Sequence, residues 1–419
     1  ITIAEFAEAV AKAAERGLSQ IEYHDSAPLQ MVEKKLPLDY RVPDAERLAW
    51  AEPIATQIED DLPKSLPEVY AREALILHQR QRTELKLQAI RIGELTIATL
   101  PNEVYALTGL KLRARSPATM HFNIELANGA EGYIPPPEQH TLGGYTTWPA
   151  RTAGLEVQAE SKIVEALSTA LEEVTGQPRR TMQDEHGPYA LAVLAAEPLA
   201  YWRMNDADGS TPRNAVEAGP VAKLSGGFAL YLPGVGSGSG IGSGERLTAS
   251  AFSRDPVINR AIHFASGSMT AKISQPSDHY TAATWVWLGE PSGASQRSGL
   301  VVSGPAGEKL IAHQDGEHNL RLELVAAEVS IELSQASWPA ENWNFVVLVR
   351  EGNEVRVHVN GSPQPVLSAS IGSALPNDSE ITELRLADEL QGKLDEIALF
   401  PRALSGTEIT QLWETSGVR

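Results

Sequence analysis

The spacing of apolar residues changes partway along the chain, and that change limits every fold the chain can adopt. Before residue 177, helical and alternating spacings follow one another. Beyond 187, apolar residues gather into short β-rich runs separated by turns. Two patterns in one chain call for two separate cores. The length of 419 residues agrees, since roughly two or three domains are expected for it.

The first part mixes helices and strands. Ile3, Phe6, Val10, Ala14, Leu18 and Ile21 form one apolar stripe of a helix. Residues 44–57 and 66–85 read as two more helices. Residues 85–92 alternate, Gly93-Glu94 supplies a hairpin turn, and 95–100 read as a second, apolar strand. A short helix is expected over 103–110. An alternating strand over 119–126 ends at Ala127-Asn128-Gly129, and a long amphipathic helix covers 156–174. This order predicts an α/β domain over 1–176, a mixed sheet with helices. Residues 177–188 are polar, bear a proline and lack a period, so they read as a linker.

Residues 189–419 predict an all-β sandwich. Strand-like runs appear at 263–264, 284–288, 299–303, 320–325, 345–350, 355–360, 383–386 and 396–400. Turns such as Asn360-Gly361 separate them. The Gly/Ser-rich stretch 233–244 lacks the Gly-Lys-Ser/Thr and the following helix of a phosphate loop, and it reads as a flexible loop.

Composition narrows the chemistry. The chain has no cysteine, which removes disulfides, thiolate metal sites and cysteine nucleophiles. A net charge of −19 argues against nucleic acid or an anionic membrane as the main partner. No apolar run approaches the roughly 20 residues that span a bilayer, so the chain is not expected to be transmembrane. No Gly-x-Ser-x-Gly elbow, His-x-His or His-Glu-x-x-His occurs. The chain starts at Ile1, which suggests a removed leader or a longer upstream region.

Three segments carry a resemblance in the second part. They are Pro198-Leu-Ala-Tyr-Trp-Arg-Met204, the strand–turn–strand from Trp343 to Gly361, and Gly392-Lys-Leu-Asp-Glu-Ile-Ala-Leu-Phe-Pro-Arg-Ala-Leu-Ser405 with the helix after it. Together they resemble the concanavalin A-like/laminin-G jelly-roll superfamily. Trp202, Trp285, Trp287 and Trp343 are large enough to fill an inter-sheet core, and an exposed one would suit a sugar ring. Some relatives bind calcium near the closing motif. That resemblance implies a calcium site to which Asp395, Asp206 and Asp208 contribute; without it, Asp395 reads as a carboxylate hydrogen-bonded to a neighbouring loop.

The first part resembles the later portion of the catalytic domain of neutral/alkaline, non-lysosomal ceramidases. The likeness runs over 21–174 and is carried by Ile21-Glu-Tyr-His-Asp25, Gln88-Ala-Ile-Arg-Ile-Gly-Glu-Leu95, Leu100-Pro-Asn-Glu-Val104, Leu126-Ala-Asn-Gly-Ala-Glu-Gly-Tyr-Ile-Pro-Pro-Pro-Glu138 and Gly143-Gly-Tyr-Thr-Thr-Trp-Pro-Ala-Arg151. It implies a catalytic zinc held by two upstream histidines, a glutamate and a tyrosine. By motif, the last two are Glu103, in Pro101-Asn102-Glu103, and Tyr133, in Gly132-Tyr133-Ile134. Zinc with such ligands keeps a position open for a water whose pKa it lowers. His24, His78, His121 and His140 stand singly, and no histidine pair fits the upstream motif. Without such motifs, Glu103 reads as a helix N-terminal carboxylate and Tyr133 as a half-buried aromatic.

The expected function is therefore the C-terminal portion, or processed subunit, of a secreted ceramidase-like zinc amidohydrolase with an appended binding sandwich. It becomes an enzyme when an upstream domain or partner chain supplies the missing histidines. Lipid amides and glycans are the expected ligands. The secreted, periplasmic or cell-surface space is the expected location. The alternative is a non-catalytic surface, matrix or carbohydrate-binding protein built on a degenerate hydrolase scaffold. Limited proteolysis is expected to nick between 177 and 189 and release a folded sandwich, read by mass spectrometry and circular dichroism. A released fragment that is unfolded would count against an independent module.

Overall fold

A computed structural model describes residues 2–59, 62–181, 186–237, 249–253, 258–274, 278–289, 298–304, 307–315, 317–326, 329–332, 338–370 and 381–418. The middle of the expected linker and most of the Gly/Ser-rich stretch 233–244 lie outside them. The chain divides into two compact units, Gln20–Gln183 and a second made of Ile1–Ser19 with Asp184–Arg419.

Helix α1 (Ile3–Leu18) opens the chain with a capping box between Thr2 and Glu5. None of its residues is buried. The Gln20–Gln183 unit then follows in order: β1 (Leu29–Asp39), α2 (Ala45–Ala55), α3 (Leu66–Arg80), β2 (Arg82–Ile92), β3 (Leu95–Thr99), β4 (Glu103–Val104), α4 (Ala106–Arg115), β5 (Met120–Ile124), β6 (Tyr133–Ile134), α5 (Gln139–Leu142) and α6 (Ala159–Thr175). Asp44 and Ser65 cap α2 and α3 through their side chains.

One sheet runs β1-β2-β3-β5, with β3 and β5 parallel and the other pairs antiparallel. One face carries Leu36, Leu85, Leu87, Ala89, Ala98 and Leu100, and these pack with Ile163, Leu167 and Leu171 of α6. The other face stacks Met31–Ile90–Ile97–Phe122 and Leu29–Ile92–Leu95–Met120 across all four strands. Leu29, Met31, Ile92, Met120 and Phe122 of that face are exposed.

Four sequence expectations need correction here. No helix starts at 103. Glu103 and Val104 pair in parallel with Tyr133 and Ile134, and α4 follows them to Arg115. Strand β1 was not expected, because Glu33, Lys34 and Lys35 interrupt its apolar signal. It is an edge strand, where charge and Pro37 are tolerated. The third expected helix stops at Arg80 rather than 85, since Gln81 turns left-handed at φ 62° and β2 begins at Arg82. Lastly, 383–386 and 396–400 belong to one strand.

The other unit continues with α7 (Pro188–Ala195), β7 (Ala200–Trp202), β8 (Ala222–Ser225), β9 (Phe228–Pro233), α8 (Ala249–Phe252), β10 (Arg260–Ser274), β11 (His279–Leu288), β12 (Ser298–Ser303), β13 (Lys309–Gln314), β14 (Asn319–Ala326), β15 (Val329–Glu332), β16 (Trp338–Pro339), β17 (Asn344–Glu351), β18 (Glu354–Val359), β19 (Leu367–Ser370), β20 (Ile381–Phe400) and α9 (Gly406–Ser416). All its pairings are antiparallel, as a jelly roll requires. Strand β20 holds it together. Its 20 residues pair with β10, β12, β11 and β7, and left-handed residues at Ala387, Glu389 and Glu396 bend it between layers.

Trp285, Phe345, Phe252, Tyr189 and Phe400 fill the core, and Trp413 of α9 stacks on Trp285 at 5.2 Å. Trp202 and Trp285 are fully buried, whereas Trp287 and Trp343 stay half-buried. The latter two therefore only border the core. Just after β18, Asn360 and Gly361 take φ of 49° and 71°. A Cβ on Gly361 would lie 2.4 Å from the Trp413 ring, so only glycine fits there.

Two buried ionic clusters cross the sandwich. Glu396 takes Arg203 at 2.9 Å and the Tyr201 hydroxyl, and Arg203 also donates to the Phe252 carbonyl at 2.7 Å. Glu308 takes Arg350 at 3.3 Å and the Tyr280 hydroxyl. Arg203→Met is expected to cost about 3–5 kcal/mol in chemical unfolding, because it strands the Glu396 charge in the core. The double change Arg203→Met/Glu396→Leu should recover much of that loss. A single variant as stable as the parent would show the pair to be incidental.

Candidate functional site

Glu103 and Tyr133 stand side by side. Parallel strands β3 and β5 send their following loops to one edge of the sheet, and there β4 and β6 pair with Glu103 in register with Tyr133. Backbone bonds fix the loops: Glu103 N–H to Gly132 O at 3.0 Å, Glu131 N–H to Pro101 O at 2.7 Å, and Tyr133 N–H to Thr152 O at 2.7 Å. Gly132 holds φ 78°, and a Cβ there would lie 2.4 Å from the Thr152 carbonyl. The loop can thus pass close to 152 only with glycine at that position.

Tyr145 first, and then the Glu103 carboxylate, push the pKa of the Tyr133 phenol up to about 12. The Tyr133 and Tyr145 rings meet edge to face at 5.4 Å. Tyr145 is 63% exposed, so water reaches the group. Sequence reasoning placed Glu103 and Tyr133 but missed Tyr145. The available signal was Gly143-Gly144, whose φ of 78° and 93° set up the short turn that presents it.

The neighbouring loop is tied down by Arg41. It donates to the carbonyls of Leu155 at 3.1 Å and Thr147 at 2.8 Å, and also to that of Ala153. His140 lies 3.4 Å from the same guanidinium, and burial and then that charge lower its pKa to about 4. It is therefore neutral, and it faces a cation. His121 is buried between Thr96 and Asn123, at 3.0 Å from each. His24 and His78 are exposed elsewhere on the unit. Arg151 is bound to Glu73 at 2.7 Å.

Among the described residues, no three or more of His, Asp and Glu converge as a metal site. Glu103 and Tyr133 fit two oxygen positions of a zinc shell, whereas a catalytic zinc has three protein ligands and a water. Asp395 is fully buried. Its Oδ2 accepts from Val235 N–H and Asn259 Nδ2, both at 2.8 Å, and its Oδ1 has no hydrogen-bond partner among the described residues. Burial first, and then the Glu396 charge, raise its pKa well above the usual carboxylate range. Those N–H donors are not the oxygen cage that calcium takes. Asp206 binds Arg213 at 2.9 Å.

The raised Tyr133 pKa makes a signed prediction. The protonated phenol is the form its neighbours favour, so its stabilising contribution is complete below the ordinary value of about 10. It is lost as pH rises through about 12. An ultraviolet titration of the parent minus Tyr133→Phe should show one phenol ionising near that upper value. Tyr145→Phe should bring it down. A difference curve centred near an ordinary tyrosine would contradict that influence of Tyr145 and Glu103 on the phenol.

Residues 265–410 match the family profile described as the concanavalin A-like lectin/glucanases superfamily. No curated protein sequence matches the chain. Among solved structures, a Trypanosoma rangeli sialidase is 18% identical with a TM-score of 0.35, over 52% of this chain and 33% of its own. The chain thus spans about a third of that enzyme's length. Domain 4 of AbnA, an extracellular arabinanase from Geobacillus stearothermophilus solved with arabinotriose, is 14% identical with a TM-score of 0.35, over 51% of this chain and 97% of that domain. Residues 265–410 form a concanavalin A-like, laminin-G-type domain on the all-β sandwich.

Proposed function

We propose that residues 21–174 are the later portion of a zinc amidohydrolase of the neutral/alkaline ceramidase type, acting outside the cytoplasm. In this reading the sandwich serves as its binding module. The observation that carries it is the pairing of Glu103 with Tyr133 in register across β4 and β6. The uncovered apolar face of the β1-β2-β3-β5 sheet supports it too. Such a patch marks a surface built to be covered, here by the upstream domain or partner chain that would bring two histidines.

With zinc bound, the metal would supply a nucleophilic water at neutral pH and polarise an amide carbonyl. Glu103 would contribute a carboxylate ligand. Tyr133 would give up its proton to bind, and Tyr145 would hold the phenolic oxygen in place. The substrate class is an N-acyl amide with a lipid tail.

A second reading has one observation of its own. Trp287 and Trp343 are half-buried and converge on Lys393, whose Nζ lies 4.3 and 5.8 Å from their ring centroids. Aromatic faces at the surface of a concanavalin A-like domain favour a glycan-binding protein on a non-catalytic scaffold.

Zinc titration and an N-acyl hydrolysis assay separate the two. The chain alone is expected to bind zinc weakly and turn over no N-acyl substrate. Adding its histidine-bearing partner should give chelator-sensitive hydrolysis that Glu103→Gln abolishes. Turnover by the purified chain alone would show that the missing ligands are misassigned. Partner-independent glycan binding, lost in Trp287→Ala and indifferent to zinc, would favour the second reading.

A further inference from the structure

A cleft of about 720 Å³ opens on the Gln20–Gln183 unit between α2, α3 and the segment Trp148-Pro149. That size falls within the roughly 300–1,000 Å³ of small-molecule sites. Its floor is Leu77, a fully buried core residue. Its walls are Val42, Leu66, Tyr70 and Trp148. Tyr70 meets Trp148 edge to face at 5.6 Å, which fixes both rings. Trp148 is 43% exposed and Leu66 64% exposed, so the apolar wall faces water. Neither the glutamate–tyrosine pair nor the concanavalin A-like match includes any of these residues.

Among the described residues, two polar groups line the cleft without a side-chain hydrogen bond or ion pair. The Arg47 guanidinium lies over the Trp50 ring at 3.7 Å and pairs with no carboxylate among the described residues. The Tyr70 hydroxyl donates to nothing among the described residues. The one acid in the lining, Asp44, is already engaged, because its Oδ1 accepts the Arg47 backbone N–H at 2.8 Å. Two guanidiniums, Arg41 and Arg47, stand against that one carboxylate, so the net charge of the lining is positive. A guanidinium fork and a hydroxyl suit a planar head with two oxygens.

We propose that this cleft binds a single-tailed fatty carboxylate, with its chain against Leu66, Trp148 and Leu77 and its head at Arg47 and Tyr70. The head pairs with the free cation, and the tail removes the exposed tryptophan and leucine from water. The inference does not rest on the zinc hydrolase reading, and its test uses no turnover.

The test is titration of the full chain with dodecanoate below its micelle concentration, followed by calorimetry and tryptophan emission. Saturable binding is expected. Dodecanol and dodecyltrimethylammonium should bind about tenfold more weakly, as the loss of one charge-assisted bond implies. Arg47→Ala should weaken dodecanoate by a similar factor and leave dodecanol unchanged. Leu66→Asp, at an exposed position, should weaken both ligands without unfolding the chain. Absence of saturable dodecanoate binding overturns the proposal, as does equal binding of the ammonium. An Arg47→Ala variant with unchanged affinity does the same. A marked preference for dodecyl phosphate would replace the carboxylate head and overturn that assignment.

Discussion

Burying Glu396 beside Arg203 is the constraint on which the sandwich depends. Both side chains are almost wholly removed from water, and either alone would cost several kcal/mol. The chain can satisfy them only by laying β7 against the end of β20, which joins residues 193 positions apart. Tyr201 and the Phe252 carbonyl complete the set, so the start of the unit, α8 and the last strand are fixed at once. The Glu308–Arg350–Tyr280 cluster repeats the same three chemistries elsewhere in the unit. Such clusters add little net stability over an apolar core, but they penalise every other pairing of strands.

In the Gln20–Gln183 unit the corresponding constraint is the parallel pairing of β3 with β5. Parallel neighbours end at the same edge, so their following loops meet there. The short β4–β6 pair extends that meeting by two residues and sets Glu103 against Tyr133. Helix α6 packs its buried Ile163, Leu167 and Leu171 against the core face of that sheet. The site is thus a product of connectivity more than of any local sequence preference.

The sandwich was legible wherever strands alternate or turns are marked, as at β17, Asn360-Gly361 and β18. It was less legible where one strand serves two layers. The bends at Ala387 and Glu389 split β20 into two apparent runs, because a sequence pattern reports local direction and not pairing. Strand β1 escaped notice for a different reason. An edge strand needs only one buried face, and Val32, Leu36 and Leu38 supply it while Glu33, Lys34 and Lys35 face outward or along the edge. Of the candidate site, Glu103 and Tyr133 were visible through motif resemblance alone. Tyr145 and the cleft at Trp148 depend on loop conformation and helix placement, which no periodicity encodes.

Charge balance explains what the Glu103–Tyr133 pair would still require under the hydrolase reading. A carboxylate and a phenolate together carry two negative charges, which neutralise a zinc ion. Further ligands should then be neutral, because a third anion would weaken the metal's pull on its water. Neutral nitrogen is what an imidazole supplies. His140 is neutral, yet it faces the Arg41 guanidinium, whose charge repels a dication from that nitrogen. His121 spends its ring nitrogens on Thr96 and Asn123. Within this unit His121 and His140 are therefore held by the fold, and His24 and His78 stand exposed elsewhere on it. Under that reading, the unit offers half of a metal shell.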